Sequence, residues 1–178
     1  MNYKLKKKTL ENKLNNWRGI LKIIDIEHVR ASKVLWAQKN IWNQLHLKGE
    51  EFLLNCCFNN NGNYPPSEYY FGLDSRSSIS QSDTIEDLEG EPTENGYTRQ
   101  PRSSNGGFIV EPFNGNYRAS SNIMTFTAAG GGWGPVKNIF IATSSDGSGV
   151  LLSTAALSQE INLIDGDSVN LRMALSLS

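Results

Sequence analysis

Residues 169–178 run Val169-Asn170-Leu171-Arg172-Met173-Ala174-Leu175-Ser176-Leu177-Ser178. Val169, Leu171, Met173, Leu175 and Leu177 fall in one register, and Asn170, Arg172, Ala174, Ser176 and Ser178 in the other. Successive side chains of a strand point to opposite faces, so this period of two buries one row and wets the other. That pattern selects an antiparallel sheet with a solvated face over a parallel one. From Tyr97 onward further candidate strands come at short intervals: Phe108–Phe113, Tyr117–Ser120, Ile123–Thr127, Val136–Thr143, Val150–Leu157 and Ile161–Ile164. Such density is the signature of a β-sandwich or jelly roll. Asn114-Gly115, Asp146-Gly147 and Asp165-Gly166 fall between candidate strands, where positive φ is needed. Gly130-Gly131-Gly132-Trp133-Gly134 is too flexible to be a strand, and its Trp133 either plugs the core end or binds a partner.

Upstream, Ile20–Val29 and Val34–Trp42 are rich in β-branched and aromatic residues and read as a hairpin. Its Lys22, Arg30, Lys33 and Lys39 alternate with apolar residues, as on a wet face or one awaiting a partner. Glu50–Phe58 reads as a helix with Leu47, Leu54 and Phe58 as its apolar stripe, Leu53 and Cys57 beside it, and Glu50 and Glu51 at the dipole's positive end. Tyr64-Pro65-Pro66 ends any helix, and Tyr69–Asp74 resumes as a strand. Asp83-Thr84-Ile85-Glu86 has the spacing of a capping box opening a short helix that Gly90 closes, a connector rather than a site. The fold expected is mainly β: an antiparallel β-sandwich or jelly-roll-like domain over residues 64–178. A hairpin-plus-helix unit, residues 19–63, packs on it or extends its main sheet, and a basic arm occupies residues 1–18.

With 178 residues and 38% hydrophobic content, the chain can bury a core without disulfide or metal staples. Adjacent Cys56 and Cys57 are poorly placed to bridge each other and read as buried, inert thiols. No secretory leader is read in the Lys-rich Met1–Leu14, and no apolar run approaches the length of a membrane span. Synthesis in cytoplasm is therefore expected, with no membrane partner. Residues 1–48 carry eleven Lys or Arg against three acids, a net of +8, which leaves six against fifteen, or −9, for residues 49–178. Opposition of this kind suits nucleic-acid contact, membrane contact or head-to-tail packing between copies. The arm's Lys4, Lys6, Lys7, Lys8, Leu10, Leu14 and Trp17 are candidate partner-binding residues, the lysines steering it to an acidic surface and the apolar side chains anchoring it. Nucleic acid is the less favoured partner, because the arm lacks repeated aromatic and arginine interleaving.

No catalytic, metal-binding or cofactor-binding constellation emerges, and no enzyme activity is expected. Glu86, Asp87, Glu89, Glu91 and Glu94 crowd one acidic loop instead of flanking a sugar cleft. His28 and His46 have no triad neighbours and read as ordinary surface or hairpin residues. Asp165-Gly166-Asp167 and Asp146-Gly147-Ser148-Gly149 lack the ligand ladder of a calcium loop, and the glycines at 130, 131, 132 and 134 lack a phosphate-loop pattern.

Three ordered stretches, Tyr69-Tyr70-Phe71-Gly72-Leu73-Asp74-Ser75-Arg76, Asp83-Thr84-Ile85 through Gly96-Tyr97-Thr98-Arg99-Gln100, and Trp133-Gly134-Pro135-Val136 into Phe140-Ile141-Ala142-Thr143, resemble small virion structural proteins of tailed bacteriophages. The resemblance spans residues 19–178. It implies a non-enzymatic β-sandwich unit of the particle, made in the host cytoplasm and located in the virion. The expected role is capsid decoration, a cement protein bound to the major capsid protein or other virion proteins, as a homo-oligomer. A tail or head–tail junction component and a glycan-binding adsorption module are the alternatives. Within the motifs, Gly72 and Gly96 allow close backbone approach, Tyr97 is a core aromatic, and Arg99 pairs with a nearby acid.

Overall fold

The computed structural model describes residues 20–59, 64–113 and 115–176. Within them lie strands β1 (Ile20–Arg30), β2 (Lys33–Trp42) and β3 (Gln44–Leu45), helix α1 (Leu47–Phe58), β4 (Glu68–Asp74), a 3-10 turn (Ile85–Asp87), and β5 (Gln100–Ser103). There follow β6 (Phe108–Phe113), β7 (Asn116–Ser121), β8 (Met124–Thr127), β9 (Trp133–Ala142), β10 (Leu151–Leu163) and β11 (Ser168–Ser176). The first sheet runs β2-β1-β11-β7-β6, with β8 also paired to β11; the second runs β3-β10-β9-β4-β5. Every pairing is antiparallel. The chain is a mainly β, two-sheet sandwich, as its alternating C-terminal sequence leads one to expect.

The period of two in β11 translates directly into burial. Val169, Leu171 and Met173 point into the core while Arg172 is exposed between them. Ala174, expected on the wet side, is buried too. The core is one cluster fed by both sheets: Ile26, Met124, Phe126, Val169 and Leu171 from the first meet Phe71, Leu73, Val136, Ile139, Ile161 and Leu163 from the second. A smaller cluster on the second sheet's other face joins Phe140, Ala142 and Leu151 to Ile85 and Leu88. The segment around the 3-10 turn therefore covers that sheet, and the end of β9, Ile139 to Ala142, enclosed on both sides, is an apolar run without alternation.

The hairpin β1–β2 turns on Ala31 and Ser32, both at positive φ, and β1 pairs with β11 along its length with a register shift between Ile23 and Asp25. The hairpin thus extends the sheet of the C-terminal strand, while β3 adds to the other sheet. Helix α1 approaches β10 through Gly49, where an added Cβ would run into the Leu152 carbonyl. The expected stripe is reversed: Leu47, Leu54 and Phe58 are exposed, and Phe52, Leu53 and Cys56 form the packed side. Close approach through a glycine sets which face of a short helix is buried, and periodicity carries no record of it. Cys57, expected to be buried, is exposed, and both thiols are free.

Several local expectations shift. The predicted strands Val150–Leu157 and Ile161–Ile164 are one strand, β10, interrupted in register between Ala156 and Ile161. β9 starts at Trp133, inside the glycine run, because pairing with Leu163 holds the backbone extended there. The capping box sits one residue later than expected, with the Thr84 amide donating to Asp87 Oδ2 at 2.7 Å. Asp83 is taken instead by Arg76 Nη1 and the Ser80 amide. Gly166 and Gly115 adopt positive φ, whereas the 146–149 turn is held by Asp146 accepting from the Ser148 amide and hydroxyl at 2.8 and 2.6 Å. Asn114 and Leu177 lie outside the described residues.

Candidate functional site

An open cleft of about 340 Å³ is lined by Asp74, Glu89, Glu91, Glu94, Trp133 and Val136, among others. It lies where the 89–95 segment crosses the start of β9. Its acids invite a catalytic reading, so their partners decide what it can do. Glu91 meets Arg99 in a two-pronged pair, Nε to Oε1 at 2.8 Å and Nη2 to Oε2 at 2.6 Å, and also accepts the Tyr97 hydroxyl at 2.8 Å. Arg99 in turn donates to the Ser144 and Asp146 carbonyls and lies 5.1 Å from the Phe140 ring centroid. Tyr97 stacks on Phe126 and meets Trp133 edge-on, and its hydroxyl accepts the Leu73 amide at 2.9 Å. Burial, with Glu91 next to it, pushes the Tyr97 phenol well above its ordinary value, so it stays a donor.

Asp74 is fully buried and accepts from Arg76 Nε at 2.8 Å, with Asn138 Nδ2 at 3.4 Å. Arg99 holds Glu91 through both oxygens, and Arg76 holds Asp74 through Oδ2 while its backbone amide donates to Oδ1 at 3.3 Å. Glu89 and Glu94 stand exposed at the rim. Among the described residues no group of three or more His, Cys, Asp or Glu is placed to hold a metal ion.

The two histidines, expected as ordinary surface or hairpin residues, are both buried, His28 within the β1–β2 hairpin. His28 Nε2 donates to Asp167 Oδ2 at 2.9 Å, and the same carboxylate receives Arg30 Nε and Nη2 and the Ile164 amide. Asp167 is therefore the centre of a donor cluster as well as a turn residue, and Arg30, partly exposed at the edge of that cluster, is one of its donors. The Arg30 hydrogen bond, above all, holds its carboxyl far below the usual range. His46 lies between the Ser80 carbonyl, at 3.0 Å from Nδ1, and the Thr154 hydroxyl, at 2.8 Å from Nε2. A carbonyl only accepts, so Nδ1 carries the proton and Nε2 accepts; burial keeps this imidazole neutral by lowering its pKa. Sequence reading missed both clusters because their members lie 34 to 139 residues apart.

Of the residues predicted to bind partners, Trp133 is 6% exposed, in the core, with its indole donating to the Glu94 and Asn95 carbonyls at 3.1 Å. Of the two roles open to it, the packing position is that of a plug at the core end. The arm residues Lys4, Lys6, Lys7, Lys8, Leu10, Leu14 and Trp17 lie outside the described residues. Apolar surface is found elsewhere, at Val34 and Leu35 of β2, at Leu54 and Phe58 of α1, and at Ile109, Val110, Phe113 and Tyr117 of the β6–β7 hairpin. Among the described residues no helix is long and apolar enough to cross a membrane.

Residues 45–176, which are 132 of the 178, match the family described as podophage GP4 fiber I protein gp80. The chain belongs to this family. The fiber I match begins at Leu45, within β3, and includes every later strand, so the second sheet apart from Gln44 and four strands of the first lie within it. It establishes a structural protein of the tailed-phage virion, associated with other components of the particle, as the three sequence motifs lead one to expect. No curated protein and no solved structure matches the chain.

Proposed function

We propose that this chain is a non-catalytic building unit of a podophage fibre, and not a cement protein spread over the capsid. The observation that carries the reading is the fiber I family match over residues 45–176, whose description favours a tail-associated placement over the shell surface. The geometry supports it: the cleft acids Glu91 and Asp74 are consumed by Arg99 and Arg76, and the exposed apolar residues lie along strand edges and a helix face. Side chains of that kind supply area to protein neighbours and nothing to bond cleavage. Quantitative mass spectrometry of purified particles, combined with antibody labelling seen by electron microscopy, tests it. A dozen copies or fewer per particle with label on fibres is the expected result. Hundreds of copies with label over the shell would return capsid decoration. Cleavage of host polysaccharide by the pure protein, abolished by one acid substitution, would overturn the non-catalytic part.

A further inference from the structure

Charge is segregated on the surface of the sandwich. Residues 30–48 hold four Lys or Arg and no acid, whereas residues 83–94 hold six acids and no Lys or Arg. In β2, Lys33 and Lys39 are exposed and have no carboxylate partner among the described residues. Glu86, Glu89 and Glu94 are likewise exposed, and none of them meets a cation among the described residues. Opposite charges left unpaired on two stretches of one chain make its surface complementary to that of a second copy.

The fold keeps the two stretches apart. β2 is the outer strand of the first sheet. Trp36 packs against the core and Gln38 Oε1 accepts the Ser158 amide at 2.9 Å, so these positions face inward. The pairing with β1 passes from Val34 opposite Val29 to Trp36 opposite His28, which makes Leu35 an extra residue and bends the edge. Val34 and Leu35 are 53% and 51% exposed beside Lys33. The acidic stretch lies on the outer face of the second sheet, where Ile85 and Leu88 are buried against Phe140, Ala142 and Leu151 while Glu86 and Glu89 remain at the surface. The arginines on that side, Arg76 and Arg99, are already held by Asp74, Asp83 and Glu91. Lysines on an edge strand oppose its pairing with an identical edge, where like charges would meet, so the surface that complements β2 is an acidic one.

We propose that copies of this chain associate head to tail, the β2 edge of one docking on the 86–94 face of the next. Lys33 and Lys39 are set against Glu86, Glu89 and Glu94, which fixes the register, and the contact covers Val34 and Leu35, which supply apolar area. Two different surfaces meet in such a contact, so each copy retains one of them for a further neighbour, and the row closes into a ring or runs on. The proposal goes beyond the fibre assignment and is independent of where in the particle the chain resides.

Charge reversal in the full chain tests it. In sedimentation velocity at low salt the native protein should form concentration-dependent oligomers that dissociate as salt is raised. Lys33→Glu with Lys39→Glu, and separately Glu86→Lys with Glu89→Lys and Glu94→Lys, should each weaken association at least about tenfold with the melting temperature unchanged. An equimolar mixture of the two variants should associate again, because each edge then finds the opposite charge on the other variant's face. Zero-length carbodiimide coupling of the native protein should join Lys33 or Lys39 to Glu86, Glu89 or Glu94 in products of dimer mass and above. A native protein that stays monomeric, or a mixture of the two variants that fails to associate, would overturn the proposal. Binding of a labelled DNA duplex that is lost in Lys33→Glu with Lys39→Glu, without self-association, would overturn it too and assign the β2 edge to nucleic acid.

Discussion

Arg30 grips Asp167 through two parallel hydrogen bonds, Nε to Oδ1 at 2.7 Å and Nη2 to Oδ2 at 2.8 Å, and so ties the β1–β2 turn to the turn before β11. The Asp167 side chain is fully buried and His28 and the Ile164 amide complete its set of donors. The hairpin is thereby locked to the strand it pairs with at the point where both reverse direction. Asp167→Asn should destabilise the protein by about 1.5–3 kcal/mol, the range for hydrogen bonds to a charged group, as read from calorimetric melts near neutral pH.

Two buried groups give acid sensitivity in separate windows. His46 has its folded pKa lowered by burial, so the unfolded chain binds the proton first and stability falls as pH drops below about 6.5, the ordinary histidine value. Asp167 has its folded pKa depressed by Arg30, so its contribution is complete above the ordinary aspartate value of about 3.9 and is lost as pH falls below it. A plot of melting temperature against pH, from about 8 down to about 3, should lose part of its upper limb in His46→Gln and part of its lower one in Asp167→Asn. A limb of unchanged depth in the matching variant would show that the group does not act this way.

Tyr97→Phe keeps the stack on Phe126 but leaves the Leu73 amide without its acceptor and removes one donor from Glu91. The expected loss is about 1–3 kcal/mol, the cost of a buried polar group left unpaired. In an alkaline absorbance titration of the native protein, the ionisation step that coincides with unfolding should shrink in this variant, because burial holds the wild-type phenol protonated until the fold opens.

Gly49→Ala offers a test of sign. In an exposed helix the change stabilises by about 1 kcal/mol through propensity. Here the new methyl meets the Leu152 backbone, so the variant should melt lower than the native protein, with α1 displaced from β10. Leu54→Gln on the exposed face of the same helix should leave the melting temperature within a degree or so, as surface substitutions usually do.

Ala31 and Ser32 carry φ of 46° and 64°, the left-handed geometry that two-residue hairpins favour and these residue types disfavour. An asparagine followed by a glycine suits that geometry better, so the double substitution Ala31→Asn with Ser32→Gly should stabilise by about 1–2 kcal/mol and be visible as a higher denaturant midpoint with unchanged slope.

What could be read in advance was what depends on neighbours along the chain. The alternation of Val169, Leu171 and Met173 gave the buried row of β11. β-branched density gave the β1–β2 hairpin, and the asparagine and glycine dipeptides marked reversals. Three motifs pointed to a tailed-phage virion protein. The short edge strands β3 and β5 were not legible, since Gln44–Leu45 and Gln100–Ser103 are strands only because β10 and β4 offer them ladders.

The amino-acid sequence by itself determined the mainly β class, the separation of basic and acidic halves and the family, because each rests on composition or on order along the chain. The tertiary structure alone decided which face of α1 is buried, through Gly49 against Leu152, and how the charges pair. Arg99 reaches Glu91 within one loop, but His28 and Arg30 meet Asp167 only after β1 is laid beside β11. Burial follows from what packs opposite a residue, so Trp133 in the core and Val110 outside it exchange the places their sequence neighbourhoods suggest.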